Sequence, residues 1–307
     1  MSWQPSTRRT PTATAWKAIR AMTADEIAAH TANLASLPRA YHRINEMLAD
    51  TRYSVADIGK VIRHEPALTA RLLRLVNSAY FGLATRIDSV PLAISVLGIR
   101  ALHELVLATS VASAFARIDT QLVDVADFWH HSVYCGIMAR LLSKRLRIAE
   151  SEQIFVAGLL HDIGKLAIYQ QLPEHSEQVL SRFADSNDPL YRVEQKVLGF
   201  THAAVGKALL HRWGLPAVFC EVTAYHHHPN RSRHYRDESW VVHAADALSA
   251  KIEPGHKITR DHTAPPSFEP NARPRIALTA SLAEELAVDA DAQSIEVYGM
   301  LFGNPLP

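Results

Sequence analysis

The sequence predicts an all-α fold, and three observations carry that prediction. Apolar residues recur at spacings of three and four through most of the chain. Helix-start signatures stand in front of several of these runs. No segment alternates apolar and polar residues as a half-buried strand does, and no βαβ rhythm is present. With 307 residues, 48% of them hydrophobic, the chain has enough apolar material for one large domain or two smaller ones.

Residues 1–20, rich in Pro, Thr and Arg, read as a flexible arm. Thr23-x-x-Glu26 and Ser54-x-x-Asp57 have the form of capping boxes that open helices. In "HEPALTARLLRLVNS" residues Leu68, Leu72, Leu75 and Val76 form one stripe, with Gly82 as a stop signal. In "GIRALHELVLATSVASAF" Leu102, Leu105, Val106 and Thr109 form another. These elements make an N-terminal helical part, residues 21–120. A second helical block occupies residues 121–252. Residues 253–275, rich in Pro and charge, read as a loop, and "TASLAEELAV" adds a short helix with Ser281-x-x-Glu284 as a capping box. Residues 253–307 are thus a loop and a helix that complete the domain.

Bulk properties narrow the function. Lys and Arg number 32 against 31 Asp and Glu, which gives no global attraction to nucleic acid or anionic membranes. The arm's Arg8, Arg9 and Arg20 are too sparse for a nucleic-acid tail. The N-terminus has no apolar core of a secretory signal, and charges interrupt each apolar run that approaches membrane-span length. Cys135 and Cys220 lie in apolar helical segments and read as reduced core thiols of a cytoplasmic protein.

The unusual feature is 17 histidines. His131, Cys135, Met138 and Leu142 share a helical stripe, whereas His130 points elsewhere; Asp127 stands one turn before His131. The segment "GLLHDIGKLAI" sets His161 and Asp162 side by side between apolar runs. Thr201 caps a helix on which His202, Val205, Leu209 and Trp213 align. Phe219, Val222 and His226 share a face, followed by His227 and His228, and Asp246 shares one with Val242 and Ser249. Taken singly, each has a bland reading. A lone His on an apolar face is more often a hydrogen-bonded core residue, His226–His228 could be a solvated helix end, and Asp246 could pair with an arginine. His161–Asp162 resists that reading, because buried charge is costly unless it is paired or bound to metal. Imidazoles and carboxylates on inward helix faces suit Fe, Mn, Zn or Mg.

The order of these groups resembles the HD superfamily of metal-dependent phosphohydrolases, in which a first His, an HD pair and a late Asp ligate metal. More closely, the chain is similar to the HDOD family, the HD-related output domain of bacterial signalling proteins. "HEPALTARLLRLVNSAYFG" and "IDSVPLAISVLGIRALHELVL" match that family's proline-containing helix, Asn-Ser turn and "AI..LG" helix. "FWHHS", "AGLLHDIGKL", "THAAVGKALLHRWGLP" and "HHHP" continue the match, over about residues 34–290. The resemblance implies an HD-like helical domain packed against an N-terminal helical subdomain. It also implies a role in bacterial signal transduction.

HDOD domains are regarded as regulatory relatives that have lost part of the HD catalytic set. Here the ligand positions of the catalytic HD-GYP relatives are occupied, by His131, His161, Asp162, His202, His226, His227 and Asp246. Lys165 stands where those relatives carry a substrate-phosphate lysine, and Asp127 where some carry a further carboxylate ligand. After "HHHP" the chain reads "NRSRHYRDES", without Gly-Tyr-Pro, which counts against cyclic-dinucleotide hydrolysis.

Two functions are therefore expected. One is a regulatory module with a divalent-metal pocket, acting through a signalling protein partner. The other is a phosphohydrolase acting on a cyclic dinucleotide, nucleotide or other phosphoester, with Asp162 bridging two ions and Lys165 stabilising charge. Fe or Mn leads as the metal, with Zn or Mg next. The basic cluster Arg231, Arg233, His234 and Arg236 reads as a solvated loop, and Asn77 and Ser78 as a turn cap.

Overall fold

A computed structural model of the chain describes residues 22–115, 118, 120, 122–148, 151–249 and 280–303. The arm and the 253–275 loop lie outside these residues. Among the described residues there is no β-strand. The N-terminal helices are α1 (Ala24–Leu34), α2 (Arg39–Ala49), α3 (Val55–Arg63), α4 (Pro66–Val76) and α5 (Val90–Phe115). Then follow α6 (Val125–Leu146), α7 (Ser151–Leu160), α8 (Ile163–Gln171), α9 (Pro173–Ala184), α10 (Leu190–Val197), α11 (His202–Arg212), α12 (Ala217–Tyr225), α13 (Arg236–Ser249) and α14 (Ala280–Phe302).

Both predicted N-terminal capping boxes form: Thr23 with Glu26 opens α1 and Ser54 with Asp57 opens α3. Thr201 accepts from the Ala204 N–H and starts α11. Asn77 and Ser78 cap the turn after α4. Asn77 donates to the carbonyls of Leu73 and Ile87 and accepts from the Ile87 N–H, while Ser78 donates to the Leu75 carbonyl.

Helix α5 departs from expectation. By length and composition it is apolar enough to cross a membrane, despite Arg100 and Glu104. Gly98 breaks it, at φ 83° and ψ 160°, and from Leu102 to Phe115 it lies in the main hydrophobic core. It packs against α3, α4 and α7, so it is the spine of the N-terminal half. Helix α14 is also longer than the short C-terminal helix predicted. Ser281 lies inside it, not at its N-cap, so the third capping box does not form. Leu286, Ala290, Val297, Tyr298 and Leu301 are buried against α6, α4 and α5, and Glu296 accepts from the Ala79 N–H. A 23-residue helix with that burial is held by packing, which its local sequence signals do not reveal.

The HD-like half is built by close backbone approach. α6 and α7 cross where Gly136 meets Gly158: a Cβ on Gly158 would stand 2.7 Å from the Gly136 Cα. α8 and α11 cross where a Cβ on Gly164 would stand 2.0 Å from the His202 carbonyl oxygen. Only glycine fits either place. These crossings bring the helices bearing His131, His161, Asp162 and His202 onto one centre.

Candidate metal centre

All seven residues read as ligands from the sequence converge. His131 arrives on α6, His161 and Asp162 in the turn between α7 and α8, His202 as the first residue of α11, His226 and His227 after α12, and Asp246 on α13. Three groups each have ligand atoms within 4.8 Å of one another: His131, His161 and Asp162; His202, His226 and His227; and His161, His226 and Asp246.

Asp162 is the hub. Its Oδ2 lies 3.2 Å from His161 Nε2 and 3.9 Å from His131 Nε2. Its Oδ1 lies 3.2 Å from His202 Nε2 and 3.6 Å from His226 Nε2. The two carboxylate oxygens thus face different histidines. Asp246 Oδ1 sits 3.5 Å from both His131 Nε2 and His161 Nε2 and closes the far side. Lys165 donates to Asp162 Oδ2 at 2.6 Å.

The imidazoles are fixed by their outer nitrogens. His161 Nδ1 donates to the Gly158 carbonyl at 2.6 Å, His226 Nδ1 to the Thr223 carbonyl at 2.8 Å, and His202 Nδ1 to Glu194 at 2.7 Å. That leaves the three Nε2 atoms turned to the centre, the arrangement in which a second group orients a metal-binding imidazole. Tyr191 stacks on His227, with ring centroids 4.4 Å apart.

Charge follows from these contacts. Burial opposes a charged imidazole at His161, but the adjacent Asp162 carboxylate raises its pKa well above the usual histidine range. Burial opposes it at His202 as well, and Glu194 with Asp162 pushes that pKa up to about 8. His226 is pushed down to about 3 by burial and by the neighbouring His161, and burial drives His227 well below its usual value. Burial works against the Asp162 carboxylate, while His161 and Lys165 hold it well below the usual carboxylate range. The protons that His161 and His202 retain are those a cation would displace.

A divalent cation fits these residues. Both nitrogens of His131, Nε2 of His161 and Oδ1 of Asp162 are buried without a hydrogen-bond partner, and such atoms are rare in the absence of a ligand. A borderline or hard divalent ion would satisfy them together.

Asp127 is the exception among the sequence candidates. It is exposed and belongs to none of the three groups. It stands in the first turn of α6. Arg231, Arg233 and His234 are exposed as expected. Glu221 anchors their loop by accepting from Ser232 Oγ and from the N–H groups of Arg233 and His234.

Sequence reasoning missed Glu194. It is 2% exposed and accepts from both the backbone N–H and Nδ1 of His202. In "YRVEQKV" it looks like one more solvated acid, and its place beside the buried Val193 was the only hint.

Fold and centre together define the class: an HD-like helical domain with an N-terminal helical subdomain packed on it. The family follows directly, because the HDOD domain model matches residues 34–229 and the chain belongs to the HDOD family. An uncharacterised protein of Treponema pallidum (strain Nichols) is 27% identical over 218 residues, 69% of this chain and 41% of that protein. The chain thus spans about two fifths of the length of that curated relative. A candidate phosphohydrolase from Shewanella amazonensis SB2B superposes with a TM-score of 0.69 at 24% identity, over 92% of this chain and 99% of that one. An HDOD domain protein of unknown function from Geobacter sulfurreducens gives 0.66 at 21% identity, over 90% and 96%. At these identities the likeness is one of fold.

Proposed function

We propose that this chain is a bacterial signal-transduction module of the HDOD type whose HD-like half holds a divalent metal centre and which acts through a signalling protein partner. The observation that carries the reading is the set of buried ligand atoms of His131, His161 and Asp162 that make no hydrogen bond, brought together from α6 and from the turn between α7 and α8. Ligands so enclosed favour a cation that fastens the core over one that turns over a bulky substrate. His131, His161, Asp162, His202, His226, His227 and Asp246 would hold it, Asp162 offering both of its carboxylate oxygens. Glu194 positions His202. The neutral charge balance supports a protein partner over nucleic acid or a membrane. Metal-dependent turnover of a phosphoester at enzymatic rates, lost on Asp162 substitution, would sink this reading.

A second reading, a metal-dependent phosphohydrolase for a nucleotide or cyclic dinucleotide, is favoured by the rim. Lys165 is only partly buried, and the Asp246 side chain is 21% exposed, so one side of the centre is open to a small anion. When bound, the metal would supply Lewis acidity and lower the pKa of water. The chain's own part is to bind and orient: Lys165 faces the anion with a positive charge, and Asp162 fixes the Lys165 ammonium. An Asp162→Ala protein with the same residual activity as wild type would rule it out.

A further inference from the structure

Helix α10 carries none of the seven ligand residues, yet it touches two of them. Its seating follows from its apolar residues: Leu190, Val193 and Val197 pack with Val179 and Phe183 of α9. Tyr191 and Glu194, three residues apart, are neighbours on the helix surface, and both meet imidazoles of the centre. Glu194 accepts from Nδ1 of His202 at 2.7 Å. The Tyr191 ring lies over the His227 ring, with centroids 4.4 Å apart and planes 21° from parallel. His228 stands edge-on to the same tyrosine, with centroids 5.2 Å apart.

His227 depends on such a contact. In His161, His202 and His226 a carbonyl or carboxylate holds Nδ1, which fixes the ring and leaves Nε2 to the centre. Among the described residues, Nδ1 of His227 has no partner of that kind. Its one hydrogen-bonding contact joins its Nε2 to Nε2 of His202, 2.9 Å away. A cation takes the lone pair of each ligating nitrogen, and that contact is then lost. Ring packing is what remains to hold His227. Part of it comes from His226, with centroids 3.9 Å apart, but His226 is itself a ligand residue. Tyr191 is the support from outside the set.

We propose that Tyr191 is a positioning residue of the metal centre: stacked on His227, it does for that ligand what Glu194 does for His202, so that α10 orients the His202–His227 pair as a unit. The inference rests on the metal-binding reading above and assigns the control of two of its ligands to α10.

The test is calorimetric titration of the chelator-treated full chain with Mn(II), wild type beside Tyr191→Leu and Tyr191→Phe. Tyr191→Leu keeps an apolar side chain but removes the stack, and should weaken binding roughly 10–100-fold; Tyr191→Phe keeps the ring and should bind within about threefold of wild type. The visible spectrum of the Co(II)-loaded chain reports the ligand set directly. It should change in Tyr191→Leu and return to the wild-type form in Tyr191→Phe. Tyr191→Met, a second variant without a ring, repeats the comparison if Tyr191→Leu loses its helical circular-dichroism signal. Combined with Glu194→Gln, the loss should fall short of the product of the two single losses, because His202 and His227 touch. A full product would show the two ligands to be set independently, against the proposal. Wild type that binds Mn(II) while Tyr191→Leu binds it as tightly, with an unaltered Co(II) spectrum, would overturn this inference alone. So would a Tyr191→Phe chain as weak as Tyr191→Leu. Wild type that takes up neither Mn(II) nor Co(II) would overturn the metal-binding reading and this inference with it.

Discussion

Replacing Gly164 by alanine tests whether close helix packing builds the centre. A Cβ there would stand 2.0 Å from the His202 carbonyl oxygen and 2.6 Å from the Gly206 N, both backbone atoms. Reaching ordinary contact at 3.4 Å requires α8 and α11 to part by about 1.4 Å, the difference between those two distances. The side chains cannot absorb this by changing rotamer. Asp162 Oδ1 and His202 Nε2, now 3.2 Å apart, would separate with their helices, whereas metal sites tolerate about 0.2 Å of ligand misplacement. Overpacking of this kind costs roughly 1–3 kcal/mol, and a domain of this size loses roughly 2–4 °C of melting temperature per kcal/mol. The expected result is a lower melting temperature and at least a tenfold loss of Mn(II) affinity by calorimetry. Gly59→Ala is the matched control. Gly59 lies inside α3, and its Cβ would meet only side-chain atoms at ordinary contact distance, Ile94 Cδ1 at 3.4 Å, Arg63 Nη1 at 3.7 Å and Val90 Cγ1 at 3.9 Å, so the substitution should be neutral or stabilising by about 0.4–1 kcal/mol. If Gly164→Ala melts with wild type and binds metal as tightly, the packing argument is wrong.

Three further outcomes are expected. Glu194→Gln keeps the shape that positions His202 but removes the charge, and should lower metal affinity roughly 10–100-fold with the helical circular-dichroism spectrum unchanged; equal affinity would remove Glu194 from the site. His103, stacked on Tyr41 with ring centroids 5.4 Å apart, has its pKa pushed down to about 4 by burial. Its folded pKa is depressed below the unfolded value of 6.5, so its neutral form stabilises the fold fully above about pH 6.5 and that stability is lost as pH falls toward 4, on the order of 3 kcal/mol in all. His103→Phe should flatten that part of the urea-denaturation pH profile, and an unchanged profile would contradict it. Finally, metal added to chelator-treated protein at 100 times its dissociation constant should stabilise the fold by about 2.7 kcal/mol; a melting temperature indifferent to metal would separate the centre from folding.

Much of this was legible in the sequence because helical periodicity places side chains on faces. His131 with Cys135, Met138 and Leu142 is buried as the spacing required, and so is His226 with Phe219 and Val222. Side-by-side His161 and Asp162 announced themselves by charge within apolar runs. What was hidden depended on long-range packing. Asp127 kept the i, i+4 relation to His131 but fell outside the core. Glu194 gains its role from α11, eight residues on. The length of α14 reflects its seat on α4, α5 and α6, which no local signal encodes.

The most direct test of the metal centre is elemental analysis of untagged protein purified without chelator, beside a His161→Ala/Asp162→Ala control. Wild type should carry one or two divalent ions per chain, Fe or Mn foremost, and the control close to none. Wild-type protein that carries no metal and takes up none on titration with Fe, Mn, Zn or Mg would contradict the account, and the seven residues would then form a structural hydrogen-bond network.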